Sequence, residues 1–150
     1  MITTSGTTPV AEYRDLEGQR AQLAPSRLVD SSWEAEAMQA VLALRDLPEG
    51  WDRSRSKKPT TVAINTALDY IDQVAHLGFY AVRTPFVAPM FDGGVQLEWD
   101  HGGRHLEVEL LPDGTARYLT TDAGKIQEGE LGTFRFPDLK SLFGWLAATH

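Results

Sequence analysis

Two short stretches of strict alternation constrain this chain more than any other feature. In Val95-Gln96-Leu97-Glu98-Trp99, and again in His105-Leu106-Glu107-Val108-Glu109-Leu110, every second residue is apolar. Side chains of a strand point alternately to its two faces, so the pattern predicts strands buried on one face and wet on the other. Asp100-His101-Gly102-Gly103 stands between them and Pro112-Asp113-Gly114 follows. Both read as hairpin turns. Pairing Asp100 with Gly103 sets Trp99 opposite Arg104, Leu97 opposite Leu106 and Val95 opposite Val108. Pairing Leu111 with Thr115 sets Val108 opposite Tyr118 and Glu109 opposite Arg117, on a third strand Ala116-Arg117-Tyr118-Leu119-Thr120. Both registers put Val95, Leu97, Trp99, Leu106, Val108, Leu110 and Tyr118 on one face, which predicts an antiparallel meander.

Helices flank this meander. Ser31 and Glu34 form a capping box, and Trp33, Ala37, Val41 and Leu44 follow at helical spacing. A second helix opens at Pro59-Thr60, carries Ile64, Ala67, Leu68, Ile71 and Ala75 as its apolar stripe, and ends at Gly78. Residues 85–89 hold two prolines and suit an edge strand or a non-strand path. Residues 121–130 are polar and read as a hairpin or loop turning at Ala123-Gly124. Thr133-Phe134-Arg135-Phe136 is a candidate fourth strand. Pro137-Asp138 opens a last helix with Leu139, Leu142, Phe143 and Leu146 on one side. The expectation is an α+β fold: two N-terminal helices, a three- to four-stranded antiparallel meander, and a C-terminal helix packed on one sheet face. Residues 1–29, rich in Thr, Ser, Gly and Pro at their start, are expected to be a flexible tail with room for a short helix over 11–22, and 30–150 a single domain.

Composition then removes whole classes of function. The 150 residues contain no cysteine, which excludes disulfides, thiolate-held zinc, iron–sulfur clusters and thiol catalysis. The net charge of −7 argues against non-specific nucleic-acid binding and suits a basic protein partner. No apolar run is long enough to span a bilayer, and Met1-Ile2-Thr3-Thr4-Ser5-Gly6 has neither a basic start nor an apolar stretch. A cytoplasmic protein with no nucleic acid, membrane or cofactor among its partners is expected. No dinucleotide fingerprint, phosphate loop or nucleophile elbow is present in the sequence.

Three groups of residues remain as candidates. By alternation the polar sheet face carries Gln96, Glu98, His105, Glu107, Glu109 and Arg117. The registers set Glu98 opposite His105. Carboxylates beside a histidine can hold a divalent cation or do acid–base work, so Glu98, His105 and Glu107 are candidate metal ligands. The same residues also read as favourable cross-strand pairs on a solvated face, or as a partner surface. The run Arg53-Ser54-Arg55-Ser56-Lys57-Lys58 is a solvated basic loop or a contact for an acidic partner. Trp51, in the loop before it, is either a plug on the core or an interface anchor, whereas Trp33, Trp99 and Trp145 sit at core-facing positions.

Two stretches carry a resemblance. Leu47-Pro48-Glu49-Gly50-Trp51-Asp52, followed by a basic and proline-containing segment and a helix, and Asp92-Gly93-Gly94-Val95-Gln96-Leu97-Glu98-Trp99 resemble the motifs of a widespread family of small uncharacterised bacterial proteins. Members usually continue the first motif with a glycine after the aspartate and another soon after, where this chain has Arg53 and Arg55. The resemblance implies a bacterial origin and a shared compact fold, and it carries no activity. From the residues, the leading expectation is a non-enzymatic protein-binding module, an accessory or neutralising component of a bacterial defence or toxin–antitoxin type operon. Its contacts would be Trp51, Arg53, Arg55, Lys57, Lys58, Glu98, Glu107 and Glu109. The alternatives are a metal-assisted hydrolase on the polar sheet face and a self-associating structural protein.

Overall fold

A computed structural model describes residues 25–79, 82–131 and 136–148. The chain divides into two compact units, Met1–Ser32 and Trp33–His150. Of the first, only the backbone of 25–32 is described, as the opening turns of a helix. That helix, α1, runs Pro25–Ala43 and leads into a 3-10 turn, Leu44–Asp46. It therefore begins six residues before the expected Ser31, and the Ser31/Glu34 capping box lies inside it. Proline at the first helical position costs nothing, because its missing N–H would have no partner there. The expected tail falls outside the described residues as far as residue 24, and with it the short helix over 11–22.

Helix α2, Thr61–Leu77, has the ends its sequence predicts. The Thr60 hydroxyl accepts from the Ala63 amide at 3.0 Å, and Gly78 closes the helix with φ 75°. Its buried side is Ala63, Ile64, Ala67, Tyr70, Ile71 and Val74. Leu68 and Ala75, expected in the stripe, are half-buried.

The sheet has five antiparallel strands in sequence order: β1 Phe86–Pro89, β2 Val95–His101, β3 Arg104–Leu110, β4 Ala116–Asp122 and β5 Lys125–Leu131. This exceeds the three or four strands expected. The proline-containing 85–89 stretch does form an edge strand, and the polar 121–130 stretch is one hairpin. The candidate strand at Thr133–Phe136 is not part of the sheet as described: Phe136 starts helix α3, Phe136–Ala147, and Thr133, Phe134 and Arg135 lie outside the described residues.

The β3–β4 register is as expected, with Val108 opposite Tyr118 and Glu109 opposite Arg117. The β2–β3 register differs by two residues: Trp99 faces Leu106, Leu97 faces Val108 and Val95 faces Leu110. The cause is the turn. His101 and Arg104 pair, and Gly102-Gly103 alone makes the loop, with φ 59° and 83°. A two-residue turn of positive φ at both positions matches the twist of its strands, and two glycines adopt it without steric cost. A slip of two residues leaves every side chain on its predicted face.

Helices α2 and α3 pack on β2 and β3 and on each other. Val95, Leu97, Trp99, Leu106, Val108 and Leu110 are buried beneath Ile64, Ile71, Leu139, Phe143 and Leu146. Each such large side chain contributes roughly 1.5–3 kcal/mol on leaving water. Trp99 meets Phe143 edge-on with ring centroids 4.8 Å apart. Arg104 ties the end of α3 to the sheet. Its Nε donates to Asp122 Oδ2 at 3.1 Å, one guanidinium nitrogen donates to the Trp145 carbonyl, and its charge sits 4.9 Å from the Trp145 ring centroid. No helix among the described residues is long and apolar enough to cross a membrane.

Candidate functional site

Because the core takes one face of the sheet, alternation decides which residues the other face presents and register decides which of them oppose one another. Glu98 on β2 lies directly opposite Glu107 on β3, and Gln96 lies opposite Glu109. The same row continues to Phe86 on β1, which faces Glu98, and to Leu119 on β4, which faces Glu107. Phe86 is 64% exposed. Expecting Glu98 opposite His105 was therefore incorrect. His105 pairs with Asp100, and its Nδ1 donates to Asp100 Oδ1 at 2.8 Å. Its Nε2 then lies 3.9 Å from a carboxylate oxygen of Glu98 and 3.9 Å from one of Glu107.

The structure thus brings the three sequence-predicted ligands together by a different route. One ligand atom from each of Glu98, His105 and Glu107 lies within 4.8 Å of the others. Asp100 holds one imidazole nitrogen and leaves the other aimed at two carboxylates, the arrangement by which an outer carboxylate orients a ligand histidine. Glu109 is next to this group but engages Arg117, whose Nε donates to it. Gln96 donates to Glu98. Glu107 is only 19% exposed. Partial burial raises its pKa above the ordinary value, and the neighbouring carboxyl groups of Glu109 and Glu98 push it the same way, against a smaller opposite pull from His105.

The basic loop is a separate structure. Trp51 is half-buried, and its indole N–H donates to the Lys57 carbonyl at 2.9 Å. Asp52 organises the turn by accepting from the Ser54 amide at 2.9 Å and from the Ser54 and Ser56 hydroxyls. Those bonds, Ser56 first, hold its carboxyl below the usual range. Glu49 accepts from the Lys58 amide at 3.0 Å. Arg53, Arg55, Lys57 and Lys58 are all exposed, and among the described residues none of the four side chains forms an ion pair. Nor does any described contact join them to Glu98, Glu107 or Glu109.

The two motif stretches meet in space. The Lys57 amide donates to the Phe91 carbonyl at 2.9 Å and the Thr60 amide to the Gly93 carbonyl at 3.0 Å. Arg53, in the turn of the first stretch, has φ 68°.

Sequence reasoning missed Asp100 as the partner of His105, because it was assigned to the turn. It also missed Phe86 and Glu128 on the same face. Their signal was register: Phe86 aligns with Glu98, and Glu128 aligns with Leu119. No family model, curated protein or solved structure matches the chain.

Proposed function

We infer that the chain is a non-enzymatic protein-binding module whose outer sheet face docks on a basic partner. One observation carries this reading: Glu98 and Glu107 are directly opposite each other on neighbouring strands. Like charges so placed destabilise a sheet, so their presence calls for a cationic surface to cover them. Exposed Phe86, beside Glu98, adds an apolar anchor to the same row. The exposed cations Arg53, Arg55, Lys57 and Lys58, with Trp51, offer a second contact of opposite sign. An accessory or neutralising role in a bacterial defence or toxin–antitoxin type operon is the biological setting we propose, on the strength of the chain's small size and acidic charge. Affinity capture from the host, comparing wild type with Glu98→Lys/Glu107→Lys, tests it. Wild type is expected to retain a stoichiometric partner that the folded variant loses. Equal capture by both would remove this face from the account.

A second reading is favoured by the convergence of Glu98, His105 and Glu107 within 4.8 Å. These three are a donor set for a divalent ion such as zinc, with coordination positions left for water, as a metal-assisted hydrolase requires. Calorimetric titration with zinc or manganese is expected to give saturable binding that His105→Ala abolishes; absence of binding heat would leave only the docking reading.

A further inference from the structure

The loop from Arg53 to Lys58 carries charge that the fold does not use. Arg53, Arg55, Lys57 and Lys58 are exposed, and among the described residues none of them forms an ion pair. Three carboxylates stand near them, Glu49, Asp52 and Asp92, and each already accepts from a backbone amide, of Lys58, Ser54 and Gly94 in turn. The loop is also fixed in place. The Trp51 indole N–H donates to the Lys57 carbonyl at 2.9 Å, the Lys57 amide to the Phe91 carbonyl at 2.9 Å, and the Thr60 amide to the Gly93 carbonyl at 3.0 Å. These bonds pin it beside the turn between β1 and β2, at one end of the sheet. Phe91, in that turn, is 62% exposed.

The outer sheet face is its complement. Glu98 and Glu107 stand opposite each other, Arg117 is taken by Glu109, and exposed Phe86 flanks Glu98. Each patch thus joins unmatched charge to one exposed phenyl ring, and such pairs of opposite sign steer and anchor interfaces. Within one copy the two do not meet. No described ion pair joins the loop cations to Glu98 or Glu107, and the backbone bonds of the loop hold it at the sheet end. Between copies they can meet. The net charge of −7 opposes association at long range, but salt at about 0.15 M screens exposed charges beyond roughly 8 Å, so contact pairs outlast that repulsion.

We propose that the basic partner of the outer face is a second copy of this chain. The basic loop and Phe91 of one copy lie on Glu98, Glu107 and Phe86 of the next. The proposal rests on the docking reading and names its partner. Loop and face are different patches, so the contact is heterologous and builds a ring or an open chain of copies.

The test is sedimentation equilibrium of the full chain over a concentration series, at about 0.15 M and about 1 M salt. A chelator is present throughout, so that no metal bridges two copies. Wild type is expected to gain mass with concentration at the lower salt, and its association constant to fall at least about tenfold at the higher. Glu98→Lys/Glu107→Lys and Arg55→Glu/Lys57→Glu, with folding checked by circular dichroism, are each expected to weaken association at least about tenfold. The first of these makes the chain less negative, and would strengthen association if net charge governed it. The combined variant inverts both patches and keeps the wild-type net charge of −7. It is expected to associate as wild type does. Wild type that stays monomeric at millimolar concentration, association indifferent to salt, a folded single-patch reversal that associates like wild type, or a folded combined variant that does not recover would each overturn the proposal. A monomeric wild type that still captures a stoichiometric host partner would overturn self-docking and leave the docking reading standing.

Discussion

Burial, the carboxyl of Glu109 and the carboxyl of Glu98 all act on Glu107 in one direction, and all raise its pKa above the ordinary 4.5. The folded chain therefore holds this proton more tightly than the unfolded chain does. Ionised Glu107 costs stability near neutral pH, and the cost is relieved as the pH falls through its folded pKa. Glu107→Gln removes the charge and keeps the shape. It is expected to stabilise the fold near neutral pH, with the advantage fading in acid, and urea midpoints across pH check this. Arg53 is a second residue held against its preference, because a left-handed φ of 68° is costly for a side chain with a Cβ. Arg53→Gly is expected to stabilise by about 0.5–1 kcal/mol, read by thermal unfolding, since glycine adopts that φ freely and loses part of the gain to chain entropy. At this scale the sequence was only half legible. Alternation named Glu98, His105, Glu107 and Glu109 as residues of one face, which needs no knowledge of register. Which of them face each other depends on the loop length, and a two-residue error there hid both the Glu98–Glu107 opposition and the Asp100–His105 bond.

Elements were legible where one face is buried. β2 and β3 alternate cleanly because their inner residues fill the core, and α2 declares both its ends through Thr60 and Gly78. β5 was not legible as part of a sheet of five, because it buries almost nothing. Its Ile126 is 61% exposed, and only Leu131 and half-buried Gly129 turn from solvent. Such a strand is held by its ladder to β4 and by the Ala123-Gly124 turn rather than by burial. The start of α1 was hidden for a different reason: a good capping box inside a helix looks the same in sequence as one at its end. The junction of the two motif stretches is long-range and leaves no local signal, and Gly94 beside it is fixed by a different long-range neighbour, the β3 backbone. A Cβ on Gly94 would lie 2.6 Å from the Leu110 carbonyl oxygen, which is backbone and cannot step aside. Gly94→Ala is expected to cost about 1–3 kcal/mol, as overpacking does, in a urea denaturation series. Gly102→Ala has no such neighbour, and its cost would come from φ alone.

At the scale of the molecule, acid and base are unevenly matched on the outer face of the sheet. Carboxylates of Glu98, Asp100, Glu107, Glu109, Glu128 and Glu130 share the outer sheet face with one arginine, Arg117, and one histidine, His105. Arg117 is engaged with Glu109, which leaves Glu98 and Glu107 to His105. Four exposed cations, Arg53, Arg55, Lys57 and Lys58, stand together on one loop, and Arg45, Arg83, Lys125 and Lys140 are exposed elsewhere. The outer face is thus acidic beyond what the described residues balance, and we propose that something cationic covers it, whether a basic protein or a metal ion. Natural surfaces kept for binding commonly carry a stability cost of this kind. The most direct measurement is urea unfolding of wild type against Glu98→Gln/Glu107→Gln, near neutral pH, at low and at high salt. The account predicts that the double variant is the more stable at low salt and that the gap narrows as salt screens the repulsion. A double variant equal to or less stable than wild type at low salt would contradict it, because the two carboxylates would then already be balanced within the fold.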